Sequence, residues 1–91
     1  MGKAFIVDAK RTPVGKARGC LSKTRADDLL VHAIQSVLMA SDESQEINNN
    51  IDDIIVGCAM PEGPQGLNIA RIATLLAGLP DSTPAYTLNR F

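Results

Sequence analysis

Two short apolar runs without alternation constrain this chain more than any other feature. They are Ala4-Phe5-Ile6-Val7 and Ile54-Ile55-Val56. A strand with one wet face alternates apolar and polar residues, whereas a strand covered on both faces reads as a continuous apolar run. The runs therefore predict covered strands over 3–9 and 53–59. Between them, Leu30, Ala33, Ile34, Val37 and Leu38 recur at helical spacing and predict a helix over 25–40. Thr24 is its expected cap, with Asp27 closing a short capping box, and Asp27 and Asp28 suit the positive end of the helix dipole. Asp28, His32, Gln35 and Ser36 fall on the opposite, solvated face. His32 is the only histidine, and with no positioned nucleophile beside it the pattern gives it no role as a base. The stretch 41–50 reads as a polar loop.

A second unit repeats the order. Met60 to Leu67 is a loop constrained by Pro61, Gly63, Pro64 and Gly66. Asn68 is the expected N-cap of a helix over 69–77, Gly78 ends it, Leu79 folds back on it, and Pro80 prevents resumption. That helix is apolar almost all round, which predicts cover on more than one side. The stretch 83–91 predicts a buried strand running into a turn. Tyr86 and Leu88 alternate with Ala85 and Thr87, Pro84 confines the strand to a sheet edge, and Asn89 and Arg90 form the polar exit. The order strand–helix–strand–helix–strand predicts an α/β fold with parallel strands and right-handed crossovers. Both helices then lie on one face of the sheet and leave the other bare. Phe91 follows a core strand directly, so the chain is expected to continue past it.

Composition narrows the function classes. The chain has 91 residues, 45% hydrophobic and only 3% aromatic, so its core is aliphatic. A domain of that size buries about 60–65% of its unfolded surface and is marginal if anything is missing. No apolar run is long enough to span a membrane, and Met1 to Val7 lacks the core of a signal peptide. Cys20 and Cys58 make neither a disulfide framework nor a metal site, and the expected setting is the reducing cytoplasm. Cys58 lies near a strand C-terminus, where open α/β sheets carry their sites. With no histidine or cation beside it in sequence, it reads as an apolar filler. Charge is segregated: residues 1–25 hold seven bases and one acid, and residues 26–62 hold eight acids and no base. No aromatics interleave the bases, so the pattern reads as a solvated segment paired with the acidic helix, not as a nucleic-acid surface. The basic loop from Val14 to Gly19 fails the phosphate-loop spacing and the dinucleotide fingerprint. Gly15 and Gly19 are expected in turn conformations.

Three motifs carry a family resemblance. They are Arg11-Thr12-Pro13-x-Gly15-Lys16-x-x-Gly19-x-Leu21, then Pro61-Glu62-Gly63-x-Gln65-Gly66-x-Asn68-x-Ala70-Arg71 with Ala77-Gly78-Leu79-Pro80, then the stretch from Thr83 to Asn89-Arg90-Phe91. In this order and spacing they resemble the N-terminal part of thiolases, over nearly the whole chain and most weakly over 41–50. The resemblance implies the N-terminal βαβαβ part of a layered α-β-α-β-α fold, with residues 1–91 an incomplete piece of the N-terminal domain.

The same resemblance implies the chemistry. Thiolases cleave a 3-ketoacyl-CoA to acetyl-CoA and a shortened acyl-CoA, as in fatty acid β-oxidation, or run the reverse condensation. Coenzyme A thioesters are substrates, and no separate cofactor or metal is implied. The nucleophilic cysteine follows Asn-Arg plus one residue, so it is expected at position 92. Asn89, Arg90 and Phe91 are the approach to it, and no catalytic residue is carried over onto the 91 positions. The chain alone is expected to be inactive. Pro84, Tyr86 and Leu88 are implied at a two-fold dimer interface of a homodimer or homotetramer. The alternative is a non-catalytic, thiolase-like interaction module.

Overall fold

The computed structural model describes residues 2–38 and 44–91. It is an α/β structure: helix α1 (Ala26–Leu38), helix α2 (Ser44–Asn49), strand β1 (Ile54–Gly57), a 3-10 turn (Gly63–Gln65), helix α3 (Ile69–Leu76) and strand β2 (Ala85–Leu88). The two strands run parallel, with Ile54 opposite Ala85 and Gly57 opposite Leu88. Helix α3 makes the crossover between them and packs on both, and α1 packs on α3. The parallel pairing is the one predicted.

Burial follows the strand period. Ile54, Val56, Ala85 and Thr87 are half-buried, whereas Ile55, Gly57, Tyr86 and Leu88 are exposed on the other face. The sheet therefore has one covered and one open face. Strand β2 is half-buried, not buried as its composition suggested, because among the described residues no layer lies over Tyr86 and Leu88. Helix α3 behaves likewise. Ile69, Ala70, Ala73 and Thr74 are buried, while Leu75 and Leu76 stay exposed.

The first predicted strand does not form. No ladder involves residues 3–9, and Phe5, Ile6 and Val7 are 80, 92 and 89% exposed. An extended segment gains stability only through a partner strand and a covered face, and this one has neither. Asp8 shows the local alternative: its carboxylate accepts the Ala9 N–H at 2.8 Å, a bond that competes with a ladder. The consequence is visible in size. The radius of gyration is 14.1 Å, against about 12 Å for a compact chain of this length. Accessible surface is 7157 Å², against about 5100 Å² for a compact monomer of this mass.

Smaller corrections have local causes. The predicted loop over 41–50 contains α2, six residues that are too few for a periodic signal. Its Glu46 lies in the first turn and suits the helix dipole. Residues 39–43 lie outside the described residues. Helix α1 starts one residue later than predicted: Arg25 offers the first accepting carbonyl, to Leu29 at 3.2 Å. Asp27, not Thr24, supplies the side chain acting there. Its carboxylate accepts from the Asp28 N–H at 2.9 Å and from both arms of Arg25 at 3.0 Å. Gln35 does not sit on the solvated face, because its amide donates to the Ala77 carbonyl across the α1–α3 contact, 3.4 Å. His32 is exposed as expected. Neither Gly15 nor Gly19 has positive φ. At Gly19 the need is room: a Cβ would stand 2.9 Å from the Lys16 carbonyl oxygen.

Candidate functional site

The C-terminal ends of both strands and the start of α3 converge at one end of the sheet. Cys58 N–H donates to the Leu88 carbonyl at 3.0 Å, which ties the strand ends together. Asn68 caps α3 as predicted: its carbonyl and its side-chain oxygen both take the Arg71 N–H, at 3.0 and 3.4 Å. From β2, the Thr87 hydroxyl donates to Asn68 Oδ1 at 2.7 Å and accepts from the Ala70 N–H at 3.2 Å. Asn68 Nδ2 donates to the Ala85 carbonyl at 3.4 Å. Asn89, Arg90 and Phe91 leave β2 from this end, all exposed. Asn89 Oδ1 accepts the Phe91 N–H at 3.0 Å and makes the expected turn. Open α/β sheets place their ligand crevices beyond the carboxyl ends of the strands, which is where this approach emerges.

The same end carries unusual backbone. Leu67 and Asn68 are consecutive left-handed residues, at φ 56° and 59°. Such a conformation costs about 1–2 kcal/mol per ordinary residue. Asparagine tolerates it because its side chain bonds locally. Leucine does not, and Leu67 is also 93% exposed. The turn therefore persists because its surroundings hold it. Arg71 adds a further hold: its guanidinium donates to the Thr83 and Asp81 carbonyls at 2.7 and 2.8 Å, clamping the α3–β2 connection. At the far end of α3, Gly78 (φ 86°) donates to the Leu75 carbonyl and Leu79 to that of Thr74, at 3.1 and 3.3 Å. This is the double-bonded termination that Gly78-Leu79-Pro80 predicted.

The cysteines fall as expected. Cys58 is buried, and its thiol leans on Gln65 Oε1 at 3.6 Å, an amide and not a base. Cys20 is exposed in the basic turn, away from any element. A cleft of about 350 Å³ lies between α1 and the start of β1, lined by Ile34, Val37, Leu38, Ile54 and Leu79. It lies at the start of β1, opposite the approach to the predicted nucleophile, and its lining is apolar apart from Lys10 and Asp53. Among the described residues no three acids, cysteines or histidines gather as a metal site, and no helix is long and apolar enough to cross a membrane. The Arg25 hydrogen bond, then the guanidinium charge and the Asp28 N–H, hold the Asp27 carboxyl below its ordinary value against the opposing effect of burial.

Comparison with known proteins decides the family. The model of the thiolase N-terminal domain matches residues 4–91. The chain belongs to the thiolase family. It is 48% identical over 92 residues to a 3-ketoacyl-CoA thiolase of Bacillus subtilis (strain 168), covering all of this chain and 23% of that protein. It is 46% identical over 90 residues to a 3-oxoadipyl-CoA/3-oxo-5,6-dehydrosuberyl-CoA thiolase of Escherichia coli (strain K12), covering 99% of this chain and 22% of that protein. A β-ketoadipyl-CoA thiolase of Pseudomonas putida is 42% identical over 90 residues, with the same coverage. The chain thus spans under a quarter of the length of these thiolases.

The sequence pointed to this end of the sheet through Asn89, Arg90 and Phe91, and to Asn68 as a cap. It did not mark Thr87, which the pattern placed only in alternation with Tyr86 and Leu88. A hydroxyl facing a capping asparagine from the following strand was the available signal. Arg71 was visible only as a polar interruption of an apolar helix. Two carbonyls from the next connection explain it.

Proposed function

We propose that this chain is the N-terminal segment of a thiolase that cleaves 3-ketoacyl-CoA thioesters through a cysteine acyl-enzyme, in either direction of the reversible reaction. One observation supports it most: β2 delivers Asn89, Arg90 and Phe91, exposed, beyond the carboxyl ends of two parallel strands. The residue after Phe91 in the whole protein supplies the thiol. A helix starting there would stabilise its thiolate through the helix N-terminus. The thiolate adds to the 3-keto carbon, the C2–C3 bond breaks, and the departing acetyl-CoA enolate takes a proton. A second coenzyme A thiol then takes the acyl group from the cysteine. The relatives are named for 3-ketoacyl-CoA and for 3-oxoadipyl-CoA/3-oxo-5,6-dehydrosuberyl-CoA, and the substrate here is a 3-ketoacyl-CoA thioester of one of these kinds.

The 91 residues alone perform none of these steps. Cys58 faces an amide, Cys20 lies in a turn, and His32 is on the outer face of α1. The whole protein is a cytoplasmic homodimer or homotetramer. Exposed Tyr86 and Leu88, with Pro84 just ahead of β2 at a sheet edge, form part of its two-fold interface. The test is mass spectrometry after incubation with acetyl-CoA. The full-length protein is expected to take one acetyl group on the cysteine after Phe91 and to lose it when that cysteine becomes serine. Acetylation of Cys58 or Cys20 in the 91-residue chain would overturn the reading. A full-length protein that takes no label would favour the interaction module.

A further inference from the structure

The Thr87 hydroxyl is shared by two elements that are distant in sequence. It donates to Asn68 Oδ1 at 2.7 Å and accepts from the Ala70 N–H at 3.2 Å. Asn68 in turn accepts from Arg71 N–H and donates to the Ala85 carbonyl. Four polar groups of the α3 start and two residues of β2 therefore close into one cycle. Its cost is the left-handed pair Leu67–Asn68. Strain of this kind survives where surrounding contacts over-determine the backbone, and it concentrates at functional sites. Here Asn68 is hydrogen-bonded directly to Thr87 of β2, which is followed only by Leu88 before the exposed approach begins. A hydroxyl fixed by a donor and an acceptor sets the rotation of the strand about its own axis at that point. It therefore sets the direction in which Asn89, Arg90 and Phe91 leave.

We propose that Thr87 and Asn68 form a clamp that positions the reacting thiol by fixing the exit of β2 against the start of α3. The clamp rests on the function proposed above, in which the residue after Phe91 reacts. Neither Thr87 nor Asn68 touches substrate in this account. They are positioning residues, and their removal acts on the turnover step and not on binding.

The experiment uses the full-length protein and steady-state thiolysis of acetoacetyl-CoA, with unfolding temperatures measured in parallel. Thr87→Val keeps the shape and removes the hydroxyl. Because misplacement of a reacting group by about 1 Å can cost about a hundredfold, kcat is expected to fall about ten- to hundredfold. KM should stay within about twofold, which marks an interaction expressed in turnover and not in uniform binding. Thr87→Ser restores the hydroxyl and is expected to recover kcat to within about threefold. Should Thr87→Val fail to fold, Asn68→Gly decides, since glycine tolerates the left-handed φ while removing both the acceptor for Thr87 and the donor to Ala85. A kcat loss at unchanged KM then supports the clamp. Unchanged kinetics in either variant, a loss confined to KM, or no recovery in Thr87→Ser overturns it. A wild-type protein without thiolysis overturns the function itself and the clamp with it, whereas an active wild type with an equally active Thr87→Val overturns the clamp alone.

Discussion

The β1–α3–β2 unit and the segment preceding α1 each carry a continuous apolar run in sequence and are opposite in structure. Cys58, Ile69, Ala70, Ala73, Thr74, Leu79 and Thr83 are buried, and among the described residues Asp27 is the one buried residue outside that stretch. Phe5, Ile6, Val7 and Val14 belong to the preceding segment and are nearly fully exposed. The difference is one of closure. In the C-terminal unit, each end of α3 has a stop that bonds to a neighbouring element or its own last turn, and the connection to β2 is pinned by Arg71. The apolar run at 4–7 has the composition of a strand without the partner that makes one. Apolar content thus says where a core could form, and closed hydrogen-bond cycles say where it has.

The largest expected effect tests that closure directly. Arg71→Ala removes two charge-assisted bonds, to the Thr83 and Asp81 carbonyls, and leaves the buried Thr83 segment without its donor. Bonds from charged donors contribute about 1.5–3 kcal/mol each, and water can reach part of this site, so a loss of about 2 kcal/mol is expected. Arg71→Lys should recover little, since one ammonium cannot span both carbonyls as the planar fork does. Val7→Ala removes two methyl groups from the exposed segment and should shift stability by less than about 0.5 kcal/mol. Urea unfolding of the three variants checks this. A Val7→Ala loss equal to that of Arg71→Ala would show the N-terminal segment packed into the core and would erase the contrast.

What was legible in the sequence follows the same division. Asn68, Gly78, Leu79 and Pro80 announced both ends of α3, because a cap and a left-handed stop are local devices written within a few residues. The helical stripe from Leu30 to Leu38 was equally local. The parallel strand pairing followed from the alternation of strands with crossover helices. The strand at 3–9 was misread because its existence depends on a distant partner, which no local pattern encodes. The Thr87–Asn68 contact joins residues 19 positions apart and was missed for that reason. The site was legible only as a place, the exit at Asn89, Arg90 and Phe91, reached through resemblance and not through any reactive group within the 91 residues.

Two glycines separate the regions further, with smaller effects. At Gly78 a Cβ would meet no atom within 4 Å, yet φ is 86°. Gly78→Ala therefore meets no neighbour and costs only the strain of holding a residue with a Cβ left-handed, about 1–2 kcal/mol. At Gly19 φ is ordinary, but a Cβ would stand 2.9 Å from the Lys16 carbonyl oxygen. Gly19→Ala should open the turn in which Gly19 N–H bonds that same oxygen. If the N-terminal segment is uncoupled from the core, the global unfolding midpoint moves only for Gly78→Ala, while amide exchange quickens locally around residue 19. Equal midpoint shifts would mean that the turn is part of the cooperative unit.

The smallest effect concerns the boundary between the two regions, at the start of α1. Asp27 is held below its ordinary value chiefly by its hydrogen bonds from Arg25, with the Arg25 charge and the Asp28 N–H adding to them. Arg25 is correspondingly held above its own. A carboxyl depressed on folding means that the unfolded chain binds the proton more readily. Its contribution to stability is thus fully present above the unfolded value and is lost as pH falls through the folded one. The Arg25 side chain is 62% exposed, so salt screens the charge component and the effect stays small. Asp27→Asn should flatten the acid limb of a stability–pH curve below about pH 4 by slightly lowering neutral stability, with the two proteins converging at the acid end. High salt should flatten the wild-type limb in the same direction. An acid limb identical in Asp27→Asn and wild type would place the acid sensitivity outside the Arg25–Asp27 pair and make the seam at Arg25 a consequence of helix α1 rather than one of its supports.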